Sequence, residues 1–257
     1  MRATITKLCQ ELAIEPLEIA CLGKIGKNSI YYLLMPPTTT LTSWQKLRTT
    51  FPENHLYPVI FHTWLLDVAN SSEPLSVALE DCISTSDNSA ILKQARRFDC
   101  EAWLASSQTI NSAMLRNRWQ KSTYANNHIT LTHLAQRLLI LLLPVKEPWQ
   151  AAAFVREVTY FNPQKPINAL VNSALAYRWS TQWGAELIAV ADTTVEFLVA
   201  NRPTNRDQAL DLAWEHIAYS PQSLSLSSSY QIGRKFEYIE DLADSLIRSS
   251  VWWFYWE

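Results

Sequence analysis

The chain ends in SVWWFYWE, residues Ser250–Glu257, with five aromatic residues in a row, three of them Trp. Aromatic and β-branched side chains suit the pleated surface of a strand. Strand alternation sends Val251, Trp253 and Tyr255 to one face and Trp252, Phe254 and Trp256 to the other. Aromatic residues on both faces predict a central or covered strand, not an exposed edge. A terminus tied into a sheet does not fray. A second reading has Trp252 and Trp256 lining a groove for a ligand or partner, because Trp is enriched at binding hot spots.

Working outward from that strand, FEYIEDLADSLIRSS carries Phe236, Ile239, Leu242, Ala243, Leu246 and Ile247 on one helical face. RPTNRDQALDLAWEHIAY reads as a helix with Thr204 as N-cap, Asp207 in its first turn and Pro221 past its end. AELIAVA and TTVEFLVA form two strands with Asp192 at the turn. Residues 168–183 form a helix closed by Gly184. Residues 151–160, AAAFVREVTY, read as a strand. The leucine run from about Arg137 to Pro144 reads as a strand buried on both faces.

The first half opens with a short amphipathic helix carrying Ile5, Leu8, Leu12 and Ile14. A hairpin follows, with strands at 17–22 and 29–35 and a turn at 23–28. A helix with Ser43 as N-cap comes next, then a strand around Tyr57, Val59 and Phe61. Helices are expected at 73–82 and 88–106. The fold class is therefore α+β, with mixed β-sheets covered by helices and a buried aromatic C-terminal strand. The expected organisation is an N-terminal α+β region at 1–106, a polar connecting segment at 107–136 and a C-terminal α+β domain at 137–257. One continuous fold and two intimately packed halves are both compatible with it.

Composition narrows the function classes. Apolar residues make up 48 % and charged residues 18 % of 257, with only four Gly against eleven Trp. Neither GxGxxG nor GxxxxGK[ST] is present. The net charge of −2 carries no nucleic-acid footprint. The basic stretch LRNRWQK, residues 115–121, reads as a solvated helix face. Cys9, Cys21, Cys82 and Cys100 form no CxxC pair and have no His at metal spacing. The N-terminus has no signal-peptide core. The longest apolar run, 138–145, is far below the ~20 residues that a membrane helix needs. The expected setting is cytoplasmic, with free thiols, no cofactor, no metal, no nucleic-acid partner and no membrane.

Several stretches, taken in order, resemble a bacterial family known as domain of unknown function 4253. They are WQKLRTTFPENHLYPVIF (44–61), RFDCEAWLA (97–105), LLPVKEPWQAAAF (142–154), WSTQWGAELIAV (179–190), RPTNRDQALDLAWEHIAYSP (202–221) and IEDLADSLIRSSVWWFYWE (239–257). The similarity is densest from Pro148 onward. The family often has Cys-Pro-Asp where this chain has Ser220, Pro221 and Gln222. It tends to a Trp-Asn-Cys-Pro-like segment where this chain has FNPQKP, 161–166. The resemblance implies a bacterial cytoplasmic α+β protein and no named activity.

Chemistry is sparse. Glu215 and His216 are adjacent near a helix C-terminus, where the dipole favours an imidazolium able to act in acid–base catalysis. Neighbours on a helix point about 100° apart, so Glu215 is poorly placed to orient His216. Asp207, Asp211 and Glu215 recur at i, i+4 and i+8, as on a solvated face; three acids so placed could also hold a cation such as Mg²⁺. His55 and His62 flank a strand, while His128 and His133 lack zinc-pair spacing. No GxSxG elbow is present. Arg202, Arg206, Arg234 and Lys235 read as surface charges, any of which could touch an anion. The candidate ligand- or partner-binding set is His216, Glu215, Trp252, Trp256, Glu257 and Arg202, with no catalytic assignment. The leading expectation is a non-enzymatic protein-interaction module of immunity or inhibitor type. The alternative is a small-ligand-binding protein or hydrolase with a pocket near His216 and the terminal strand.

Overall fold

A computed structural model describes residues 2–25, 28–62, 79, 83–84, 86–107, 125–127, 129, 137–155, 168–191, 193–221, 236 and 238–256. Nearly all of the expected helix at 73–82 and of 107–136, the basic stretch at 115–121 and the turn residue Asp192 lie outside them. So do His128, His133, Arg234, Lys235 and Glu257.

The centre is one seven-stranded sheet. Its strands are β1 (Glu18–Ile25), β2 (Asn28–Met35), β3 (Leu56–Phe61), β4 (Leu138–Pro144), β5 (Ala185–Ala191), β6 (Thr194–Val199) and β7 (Val251–Tyr255). The order is β1-β2-β4-β3-β5-β6-β7. The sheet is mixed, because β3 runs parallel to β5 while the other neighbours are antiparallel. The leucine-rich β4 lies between β2 and β3 and is buried along nearly its whole length, as a continuous apolar run requires.

Helices cover both faces, in keeping with the α+β reading. On one face α1 (Arg2–Glu11) and α2 (Pro37–Asn54) place Ile5, Cys9, Trp44 and Leu47 against Leu33, Ile140 and Leu142. On the other lie α3 (Ser89–Ala95), α4 (Cys100–Ser107), a 3₁₀ helix (Pro148–Phe154), α5 (Ala169–Trp183), α6 (Arg206–Tyr219) and α7 (Ile239–Leu246). They bury Trp149, Trp179, Leu212, Tyr219 and Leu242 against Leu141, Phe197 and Phe254. Across the sheet, Arg48 on α2 donates twice to Glu186 on β5, at 2.8 and 2.5 Å. Tyr57 donates to the Leu187 carbonyl at 2.9 Å.

Local chemistry corrects several sequence expectations. Helix α2 starts at Pro37 rather than after Ser43, which is buried within it; a proline suits the first helical turn, where no N–H bond is needed. Residues 88–106 form two helices, because Asp99 caps α4 by accepting from the Ala102 N–H at 2.9 Å. Of the strand expected at 151–160, residues 151–154 belong instead to a 3₁₀ helix over 148–154, and residues 156–160 lie outside the described residues. A reciprocal Glu147–Gln150 capping box starts it, and the small Ala151, Ala152 and Ala153 let it pack closely. The α6 cap is Asn205, accepting from Gln208 N–H at 3.0 Å, one residue after the expected Thr204. Strand β1 runs on past Leu22, with a register shift between Cys21 and Gly23.

The closing strand is covered rather than central. In the sheet order β7 is last, paired with β6. Asn126 lies along its other side: Val251 N–H donates to the Asn126 carbonyl at 3.0 Å and Asn126 Nδ2 to the Val251 carbonyl at 3.1 Å. The far end is held as well. Trp256 N–H donates to Thr193 O at 2.9 Å, Trp256 Nε1 to Tyr219 O at 3.2 Å, and Ser220 Oγ to Tyr255 O at 2.7 Å.

Candidate functional site

The sequence places His216 one helical step beyond Glu215, and the two side chains part company. His216 faces the sheet, only 2 % exposed, inside an aromatic enclosure. Its ring centroid lies 4.6 Å from Phe254, 4.8 Å from Trp252 and 5.7 Å from Trp179. Burial in that apolar surround lowers the imidazole pKa to about 3. This overrides the expected helix-dipole stabilisation of an imidazolium: at neutral pH the ring is uncharged. His216 Nε2 and Trp252 Nε1 have no hydrogen-bond partner among the described residues. Both residues line a cavity of about 30 Å³ with Ser245 and Ser249. That volume suits one or two waters and not a substrate.

Glu215 instead turns toward α5. Its Oε1 accepts from Arg178 Nε and Nη2 at 3.0 and 2.6 Å, and its Oε2 accepts the Trp179 indole N–H at 2.8 Å. Arg178 Nη1 reaches Glu101 on α4 at 2.7 Å. Burial works to lower the guanidinium pKa, but the Glu215 hydrogen bonds and both carboxylate charges outweigh it. One arginine thus joins α4, α5 and α6.

Of the remaining expected site residues, Trp252 and Trp256 are 1 % and 5 % exposed. They form a core wall, and the structure brings Trp252 onto His216. Arg202 lies elsewhere, donating to the Arg248 carbonyl at 3.0 Å just past α7. Asp207 and Asp211 are exposed while Glu215 is buried, so the three acids do not converge. Glu257 lies outside the described residues.

Sequence reasoning missed a groove of about 300 Å³ between α3, α4 and α5, where Arg178, Glu101, Phe98, Tyr177 and Gln182 meet. Arg96 sits over the Trp149 and Tyr177 rings at 5.4 and 5.6 Å and pairs with Glu147 at 2.8 Å. Burial pushes the Cys100 thiol at this groove up to about 11, so it is protonated at neutral pH. The one available signal was Arg178 in a helix otherwise rich in apolar residues, AYRWSTQW, which asks for an acid from elsewhere in the chain.

Among the described residues, no group of three or more His, Cys, Asp and Glu side chains could hold a metal ion. No described helix is long and apolar enough to cross a membrane. Comparison with curated proteins and with solved structures gave no match. The covered aromatic strand, the Arg178–Glu215 pair and the helices that carry it all fall within, and residues 139–257 match, the family described as Domain of unknown function (DUF4253), to which the C-terminal part of the chain is similar.

Proposed function

We propose that the protein is a non-enzymatic protein-interaction module of the bacterial cytoplasm, of the immunity or inhibitor type. The supporting observation is the sealing of His216. The imidazole, the candidate group for acid–base chemistry in the alternative reading, is buried, uncharged and beside a cavity that among the described residues measures about 30 Å³, too small for a substrate. Trp252 and Trp256, the candidate lining of a cleft, are core residues. The function then resides on the outer surface, where recognition of another protein needs no reactive group.

The test has two arms. The tagged full-length chain is recovered from cells that express it natively, and co-purifying proteins are quantified against an unrelated tagged control. A single partner in near-equal amount, binding again when both are purified, supports the reading. In the second arm, ester, amide and phosphoester panels are run with the wild type and His216→Gln. Turnover abolished by His216→Gln, with no partner recovered, replaces this reading with the hydrolase one.

A further inference from the structure

The groove between α3, α4 and α5 has about 300 Å³ of space, at the lower end of small-ligand pockets. Phe98, Tyr177 and Ala174 give it apolar walls and Gln182 a polar rim; Arg96 and Arg178 bring positive charge, Asp99 and Glu101 negative. The two carboxylates on Arg178 are not equivalent. The Glu215 side chain is 12 % exposed and is held a second time by the Trp179 N–H. The Glu101 side chain is 75 % exposed. An exposed ion pair contributes at most about 1 kcal/mol, so Glu101 leaves at little cost while Glu215 stays. Its departure frees Nη1 of a guanidinium that Glu215 already orients, and planar N–H donors of that kind suit a carboxylate.

We infer that this groove is a binding site for a carboxylate carried on a compact apolar body, which seats on Arg178 Nη1 in place of Glu101. Glu101 is an internal occupant, and the 2.7 Å contact it makes shows that Nη1 accepts a second carboxylate while Glu215 holds the other nitrogens. The site goes beyond the interaction reading and does not depend on it. The carboxylate has two sources, a free organic acid or the terminal carboxylate of a peptide chain.

Isothermal titration of the full chain with benzoate, N-acetylphenylalanine and the neutral N-acetylphenylalanine amide tests this. At least one acid is expected to bind, and the amide is not. Glu101→Gln is expected to tighten the acid about fivefold, the worth of one released surface pair. Thr181→Trp, which adds bulk from the groove lining, is expected to abolish binding. Tighter binding of benzoate assigns the free acid, and of N-acetylphenylalanine the chain terminus. Failure of both acids to bind Glu101→Gln, binding no tighter than wild type, or equal binding of the amide overturns the inference. Glu101→Ser serves as the second variant, and unchanged thermal melting of either confirms that the fold is intact.

Discussion

Glu215 accepts the Trp179 indole N–H at 2.8 Å, from one helix to its neighbour. Over the face of the same indole, the Phe254 ring lies parallel at 5.2 Å with 2° between the planes. Trp179 thus joins the ionic contact among α4, α5 and α6 to the aromatic wall of β7. The Phe197, Tyr219 and Trp252 rings meet it edge-on at 5.6, 5.2 and 5.8 Å. Edge-to-face pairs of this kind contribute roughly 0.5–1.5 kcal/mol each beyond the area they bury.

Removal of Glu215 is expected to be costly. Glu215→Ala leaves Arg178 with only the exposed Glu101 and strands the Trp179 N–H in the core. A loss of about 3 kcal/mol follows, the scale of breaking a largely buried ion pair. Glu215→Gln keeps an acceptor for Trp179 and should cost about half as much. Urea unfolding of the three proteins measures this. An alanine variant within about 0.5 kcal/mol of wild type would place the pair among surface contacts that contribute little.

Two tryptophans in the same cluster should respond differently to loss of the indole N–H. Trp179→Phe strands Glu215 Oε2, an expected cost of about 2 kcal/mol. Trp252→Phe shares the cost of a smaller ring in the core but removes a donor that has no acceptor among the described residues, and should cost less than Trp179→Phe by about 1 kcal/mol. The ranking, read from urea midpoints, is the test; a costlier Trp252→Phe would mean that its N–H is bound through water in the cavity beside His216.

The readable parts of the sequence were those whose period speaks for itself. The terminal aromatic alternation correctly separated Trp252, Phe254 and Trp256 from Val251, and the apolar run of β4 correctly implied burial on both faces. What was not readable depended on distant chain. The order that puts β4 between β2 and β3, and Asn126 beside Val251, leaves no local trace. Ser43 read as the N-cap of the second helix, while Pro37, with its fixed φ, opens that helix earlier. At the site, Glu215 was singled out, but its partner Arg178 lies 37 positions away, and Glu101, the second acid on that arginine, a further 77, so the cluster has no sequence period.

Gly184 closes α5 with φ +60°. A Cβ there would meet the Ala200 Cβ at 3.0 Å, closer than two carbons normally pack. Gly184→Ala therefore combines left-handed backbone strain with a clash, for an expected loss of about 2 kcal/mol. Thermal unfolding would reveal it. A neutral result would mean that β6 yields by a few tenths of an ångström.

The sealed imidazole carries the last prediction. The pKa of His216 falls from an ordinary 6.5 to about 3 on folding, because burial among Trp179, Trp252 and Phe254 disfavours its charged form. Between those values the unfolded chain binds a proton that the folded chain refuses. Stability is therefore complete above about pH 6.5 and falls as pH is lowered toward 3, by up to about 1.4 kcal/mol per pH unit from this residue. Carboxylates add their own slopes at low pH, so the quantity to measure is the difference between wild type and His216→Phe. Urea unfolding at pH 7, 6 and 5 should show that difference shifting in favour of the Phe variant at each step down. A difference that stays flat across this range would mean the imidazole is protonated within the fold. The cavity beside it would then be open to water, and the hydrolase alternative would regain its acid–base group.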